Sequence, residues 1–145
     1  MVAGLATITP ASGTVGPSGA MLIGLLAGSV CFYATQIIKS YFKIDDSLDV
    51  FPVHGVGGIL GIIMLALVGD PDGFLGSGAS GISSEGVMAQ LMLQIEGIIV
   101  IGLWTIIATY LILKILNMFT DIRVSSEGEE EGLDVYEHNE QGYSL

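Results

Sequence analysis

The sequence predicts an all-α membrane protein, and its composition and charge-free stretches carry that prediction. Of the 145 residues, 51% are hydrophobic and only 13% are charged, and the mean hydropathy is +0.72. Such values are typical of membrane proteins rather than of soluble domains. Residues 19–38 and 50–68 contain no Asp, Glu, Lys or Arg, and residues 87–113 contain one carboxylate. Each stretch is long enough to cross a hydrocarbon core of about 30 Å as a helix.

The charges exclude several classes of function. The net charge is −11 and the chain has only four Lys and Arg residues, so nucleic-acid binding has no electrostatic basis. Cys31 is the single cysteine and lies in an apolar stretch, which supports neither a disulfide nor a zinc site. No catalytic spacing of Ser, His, Asp or Cys occurs, so we expect no enzyme and no cofactor.

The first segment is a short apolar helix followed by a break. Residues 1–9, MVAGLATIT, would rise about 14 Å as a helix, roughly half a bilayer. They are expected to be the end of a spanning helix. Residues 11–19, ASGTVGPSG, are typical of a helix break or loop. At membrane depth such backbone is tolerated only when it is buried in protein or lines a cavity.

Two spanning helices follow, separated by a charged loop. Residues 19–38 form the first, in which Gly24 and Gly28 are expected to allow close helix packing. Residues 39–49 carry two lysines and three aspartates and are predicted to be an aqueous loop. The second span, residues 50–68, contains another GxxxG at Gly57 and Gly61. A helix with so much glycine is weak alone, so close neighbours are expected.

The start of the second span holds the residues of greatest interest. Asp49 is a candidate N-cap, Asp45 and Asp46 add negative charge at the positive end of the helix dipole, and Pro52 fits a first helical turn. His54 is the only ionisable side chain within the span, and such a residue is by default a functional hypothesis. Because His54 lies about 6 Å of helix rise from the start, it could equally be an ordinary polar residue near the headgroups.

The third span begins at Val87 and runs to about Leu113 after a Gly/Ser-rich connection over residues 69–86. Its length of about 40 Å requires tilt or projection beyond the membrane. Glu96 could lie at an interface or contact another helix, and the interface is the preferred interpretation. Gln90 and Gln94 share one face and could hydrogen-bond a neighbouring helix.

The basic residues predict the topology. Lys39 and Lys43 lie two crossings away from Lys114 and Arg123, so the two pairs share one side of the membrane. The positive-inside rule makes that side cytoplasmic. Residues 124–145 are therefore expected to be a cytoplasmic, acidic tail that is flexible when alone. The apolar residues near its end suggest docking against another surface.

Three blocks together resemble one family. They are ITPASGTVGPSGA at residues 8–20, DDSLDVFPVHGVGG at 45–58 and EGLDVYEHNEQGY at 131–143. Taken in this order, they resemble the C-terminal part of an ammonium transporter of the Amt/Mep/Rh family, and the resemblance covers essentially the whole chain. Two departures lie in the tail, where Asn139 replaces a usual glycine and Gly142 a usual alanine.

The resemblance implies a fold of eleven spanning helices with an inverted repeat, assembled as a trimer in the cell membrane. Residues 1–9 would end helix eight, residues 19–38 and 50–68 would be helices nine and ten, and residues 87–120 helix eleven. Residues 1–123 would then be a partial transmembrane domain and residues 124–145 a regulatory tail. The chain would be incomplete and would not conduct alone, because the partner histidine belongs to an earlier helix.

The resemblance also implies residue roles. His54 would be one of two paired pore histidines, with Val50, Thr9 and Pro10 along the same path. The residues that would shape the start of the pore helix are Asp45, Asp46, Asp49, Gly55 and Gly58. The residues that would form the tail's signature are Gly132, Leu133, Asp134, His138, Glu140 and Tyr143. A PII-type signal protein is the implied partner of the tail, ammonium or ammonia is the implied substrate, and the form that crosses is left open.

Two alternatives remain at this point. The chain could act chiefly as a regulatory module through its tail, or it could be a small membrane scaffold with a buried histidine. Transport is favoured over the scaffold because an intramembrane ionisable group is costly to keep without a function.

Overall fold

The computed structural model describes residues 1–69 and 86–140, and these residues are mainly helical with no strand among them. The prediction of an all-α chain is confirmed. The chain divides into two compact units, Met1–Val100 and Ile101–Leu145. Within the described ranges, three helices are long and apolar enough to cross a membrane, namely Pro17–Tyr41, Phe51–Val68 and Val87–Leu116. The predicted connection over residues 69–86 falls, apart from its two ends, outside the described residues.

Helix α1, Val2–Ile8, is followed by a tight turn over Thr9–Ala11 that contains Pro10. Irregular backbone with Gly13 at φ +85° then leads into helix α2, Pro17–Gln36. Helix α2 begins two residues before the predicted start because proline in a first helical turn loses no hydrogen bond. The break therefore lies where the sequence predicts it.

The end of α2 differs from the prediction of a loop that starts at Lys39. Wide helical turns continue the helix over Ile37–Tyr41, so Lys39 lies on a helix and the connection is shorter. Similar wide turns over Phe51–Val56 open the next helix, and α3 continues it over Gly57–Val68. Wide turns of this kind are rare and are frequently found at functional sites.

Helices α1 and α3 approach each other closely at the second GxxxG. A Cβ on Gly57 would lie 2.9 Å from Thr7 Oγ1 and 3.3 Å from Cys31 Sγ, and a Cβ on Gly61 would overlap the Thr7 carbonyl oxygen. Thr7 is fully buried, and its hydroxyl has no hydrogen-bond partner among the described residues. The expectation of close neighbours for this helix is met by α1.

The first GxxxG packs less closely. A Cβ on Gly24 or Gly28 would meet no atom within 4 Å among the described residues, although a Cβ on Gly4 would lie 3.9 Å from the Gly24 Cα. The buried core nearby is made by four apolar residues of α1's turn, α2 and α3: Ala11, Ile23, Met64 and Val68. Helices α1, α2 and α3 thus form a small bundle with one tight seam.

Helix α4, Val87–Leu116, is 30 residues long, which corresponds to about 45 Å. Its most apolar window has no buried residue. Glu96 and Lys114 bound a charge-free stretch that rises about 27 Å, close to the thickness of a hydrocarbon core. Lys114 Nζ lies 5.7 Å from the centre of the Tyr110 ring, a cation–π contact. The length of the charge-free stretch between Glu96 and Lys114 supports the interpretation that Glu96 lies at a membrane interface.

Candidate functional site

One groove contains the histidine that the sequence singles out. It has a volume of about 370 Å³, and its lining residues are Val2, Leu5, Ala6, Thr9 and His54. The α1 and turn residues recur at i, i+3, i+4 and i+7, the spacing of a single helix face. The lining is therefore apolar except for one hydroxyl and one imidazole.

His54 lies on the wide turns that open the α3 helix, and its side chain is exposed in this chain. Gly55 follows it, and a Cβ there would lie 2.9 Å from a carbon of the Phe51 ring. The absence of a side chain at Gly55 thus lets Phe51 pack beside the histidine's backbone. A Cβ added at Gly58 would meet no atom within 4 Å among the described residues.

Thr9 is the second polar residue of the groove. Its Oγ1 donates a hydrogen bond of 2.8 Å to the Leu5 carbonyl, so the oxygen lone pairs remain free to accept. Pro10 and Val50 do not line the groove: Pro10 packs toward Gly61, and Val50 is 52% exposed. The structure brings Thr9 and His54 together, and the transport roles of all four residues stay predictions.

Asp46, rather than Asp49, caps the helix that carries His54. The Asp46 carboxylate accepts the Val50 N–H at 2.9 Å and the Phe51 N–H at 2.8 Å, which satisfies two free helix-start donors. The prediction of Asp49 as the capping side chain is wrong because its backbone is left-handed, at φ +55°, and its carboxylate lies beside Lys39. The Asp45 carboxylate accepts a 3.3 Å hydrogen bond from the Ser47 hydroxyl.

The described part of the tail is ordered by local contacts. Helices α5, Ser126–Glu131, and α6, Leu133–His138, meet at Gly132, whose φ is +96°. Ser125 Oγ caps α5 by accepting the Gly128 N–H at 3.2 Å. A Cβ on Gly128 would lie 2.6 Å from Val124 and 2.9 Å from Tyr136, so the two helices pack tightly there. Residues Ser126–Glu131 and Leu133–His138 are thus helical in this structure, and the flexibility of the tail when alone stays a prediction.

The tail's predicted signature residues fall mostly on α6 and its ends. Asn139 closes α6 in a left-handed conformation, and the Asp134 carbonyl accepts the Glu140 N–H at 3.0 Å. Leu133 is 51% exposed although it is apolar, and His138 is exposed as well. Tyr143 lies outside the described residues. The regulatory roles of Gly132, Leu133, Asp134, His138, Glu140 and Tyr143 stay predictions.

Comparison with known proteins decides the family. The profile of the Ammonium Transporter Family matches residues 1–143, nearly the entire chain. The chain belongs to the ammonium transporter family. Membership agrees with the three apolar spanning helices and makes this chain a membrane protein.

Relatives within the ammonium transporter family align along the whole of this chain. An ammonium transporter of Corynebacterium glutamicum is 42% identical over 144 residues, which cover 99% of this chain and 31% of the relative. A putative ammonium transporter of Methanothermobacter thermautotrophicus is 38% identical over 144 residues, 99% of this chain and 35% of the relative. An ammonium transporter of Aquifex aeolicus is 39% identical over 145 residues, which cover 100% of this chain and 33% of the relative. The chain spans about a third of the length of these curated relatives.

Sequence reasoning missed part of the groove of this ammonium transporter family member. It did not single out Val2, Leu5 and Ala6, although their spacing with Thr9 marks one face of α1 and could have found them. It also gave Lys39 no role beyond topology. No sequence signal identifies that lysine's partner, because the connection between α2 and α3 decides it.

The tail's ion pair predicts a pH dependence. Arg123 donates two hydrogen bonds to Glu129, of 2.7 and 3.0 Å, and the guanidinium beside it lowers the pKa of the Glu129 carboxyl. A carboxyl with a lowered pKa stabilises the fold above its unfolded pKa, about 4.3, and that contribution is lost as the pH falls through the folded pKa. Arg123→Gln should raise the Glu129 midpoint toward that ordinary value in a ¹³C carboxyl NMR titration. An unchanged midpoint would contradict the assignment.

Proposed function

We propose that this chain contributes one wall of the conduction path of an ammonium transporter, with His54 and Thr9 as its polar groups. The observation that carries the proposal is the groove in which these two residues lie among Val2, Leu5 and Ala6. A single imidazole on an otherwise apolar wall is a costly arrangement in a membrane span unless it faces a path or a partner. The whole transporter's path would also need the segments that the relatives have in addition.

The chemistry of the groove suits ammonia better than the ion. An apolar wall penalises an unpartnered charge, whereas neutral ammonia needs only donors and acceptors. A neutral imidazole offers one donor and one acceptor, so His54 could accept a proton or pass it to a second imidazole on the rest of the transporter. Thr9 offers acceptor lone pairs only, because its proton is committed to Leu5. These properties favour a path in which the proton and ammonia are handled separately.

The wider assembly follows from the family resemblance. We infer a homotrimer in the cell membrane, in which the remaining helices of each transporter complete the groove. We also infer that the tail lies on the cytoplasmic side, and the positive-inside rule supports this through Lys39, Lys43, Lys114 and Arg123. The acidic composition leaves no role for nucleic acid.

A chimera tests the proposal. This chain would replace the matching C-terminal third of the Corynebacterium glutamicum ammonium transporter, in a host that lacks other ammonium transporters. Labelled methylammonium uptake and growth on limiting ammonium should both return. The same relative without its C-terminal third is the negative control. A chimera that reaches the membrane at parental level but takes up no methylammonium would contradict the function.

A second function is favoured by the order of the tail. The packed pair of α5 and α6 presents acidic side chains beside exposed Leu133 and Tyr136, a combination suited to docking on another protein surface. We propose that it contacts neighbouring subunits and a PII-type signal protein. Removal of residues 125–145 from the chimera should abolish co-purification of the PII protein and change uptake. Unaltered binding and unaltered uptake would rule out this role.

A further inference from the structure

An ion pair joins the end of one spanning helix to the start of the next. Lys39 Nζ lies 2.8 Å from Asp49 Oδ1, and it joins the helical turns over Ile37–Tyr41 to the connection just before the helix that carries His54. The Asp49 oxygen is itself buried and receives no aligned hydrogen bond among the described residues. Its partner is therefore the ammonium charge of Lys39. Loss of Lys39 would remove the positive charge that faces this oxygen and holds the carboxylate in place.

Asp49 is connected through the backbone to the first turn of the histidine helix. The Asp49 carbonyl accepts the Val53 N–H at 3.0 Å, and its own N–H donates to the Asp46 carbonyl at 3.2 Å. The Asp46 carboxylate holds the next two N–H groups, of Val50 and Phe51. A displacement of Asp49 would thus move the helical turn that contains both Val53 and His54.

The backbone of Asp49 also needs to be held. Its φ of +55° is left-handed, a conformation that aspartate tolerates better than most residues but that costs free energy. An ion pair to a helix that is packed elsewhere in the bundle fixes the side chain and so favours this backbone state. Lys43 offers a contrast, since it has no ion-pair partner in the described part of the chain.

We propose that Lys39 is a positioning residue for transport, because its ion pair with Asp49 sets the place of the His54 ring relative to Thr9. This inference rests on the proposed transport role of His54. Lys39 does not line the groove and acts only through Asp49. The side chain of Lys39 is 41% exposed and that of Asp49 is 34% exposed. Such a partly exposed ion pair contributes little to stability, so the pair acts on the geometry of the helix start.

The test compares two lysines of the same region in the chimera. Lys39→Gln should lower the maximal rate of methylammonium uptake about 3- to 30-fold at equal membrane level, since a misplacement of about 1 Å can cost up to about 100-fold. Lys43→Gln removes the same charge without the pair and should leave uptake within about twofold of the parent. Lys39→Arg keeps a cation within reach of Asp49 and should restore most of the rate.

A second readout separates positioning from general damage. Diethyl pyrocarbonate modifies exposed imidazoles, and mass spectrometry reports His54 and His138 separately. Lys39→Gln should change the rate of His54 modification at least about threefold, whereas His138, far along the chain, should keep its modification rate. Lys43→Gln should change neither rate. If Lys39→Gln matches Lys43→Gln in uptake and in labelling, the proposal is wrong. If His54→Ala leaves uptake unchanged, the transport role fails, and the labelling result alone decides whether Lys39 positions His54.

Discussion

Gly61→Ala is expected to break the seam between α1 and α3 and to abolish accumulation of the folded chimera. A Cβ at this position would overlap the carbonyl oxygen of Thr7 and lie 3.2 Å from Pro10 Cδ. Neither atom lies at the end of a flexible side chain. The α1 backbone would therefore have to move by about 1 Å or more to restore an ordinary contact distance to the added Cβ. Overpacking of this kind costs about 1–3 kcal/mol and more when backbone must move.

The neighbouring glycines give matched controls. Gly58→Ala adds a Cβ that meets no atom within 4 Å in residues 1–69 and 86–140, so the helix should gain up to about 1 kcal/mol from the better propensity of alanine. Gly57→Ala meets the hydroxyl of Thr7 and the thiol of Cys31, which are side-chain ends, and should be intermediate. Thermal unfolding in detergent measures the three variants. Equal midpoints for Gly61→Ala and Gly58→Ala would contradict the tight seam.

The consequence of this seam for function is direct. Helix α1 supplies Val2, Leu5 and Ala6 to the groove, and the turn after it supplies Thr9, while His54 comes from the helix that packs against it. A widened seam therefore separates the two polar groups even where the protein still folds. Residual Gly61→Ala protein should show reduced uptake per folded molecule.

The spanning helices could be predicted from the sequence because charges bound them. The helix over Phe51–Val68 starts within one residue of the predicted position, since Asp49 lies before it and no ionisable residue except His54 lies within it. The neighbours of each helix could not be predicted. Nothing in the sequence says that Gly57 and Gly61 pack on α1, because small residues at that spacing fit many partners.

The details of the site depended on backbone states that residue types do not specify. Asp46 and Asp49 are both good capping residues, and only the left-handed conformation of Asp49 makes Asp46 the cap. The order of the tail rests on the contact of Gly128 with Val124 and Tyr136. An acidic composition gives no sign of such a contact, so the two short helices of the tail could not be predicted from it.

His54→Ala in the chimera is expected to lower methylammonium uptake at least about tenfold, in the range lost when a proton-transfer group is removed. The groove would keep its apolar wall and Thr9 but would lose the one side chain among its described lining residues that can bind a proton. Lys43→Gln, in the connection before this helix, is the control and should leave uptake near the parental level, because Lys43 neither lines the groove nor forms an ion pair among the described residues. Unchanged uptake and selectivity in His54→Ala would remove this histidine from the mechanism and favour the scaffold interpretation.

A second substitution decides what the imidazole does. Glutamine at position 54 can still donate and accept hydrogen bonds, but it cannot take up a proton near neutral pH. If His54 relays or accepts a proton, His54→Gln should be as slow as His54→Ala, because the ionising group is missing in both. If His54 only offers hydrogen bonds to a passing molecule, His54→Gln should keep much of the parental rate. The ratio of the two uptake rates therefore separates proton transfer with neutral ammonia from passage of the intact ion along a hydrogen-bonding wall.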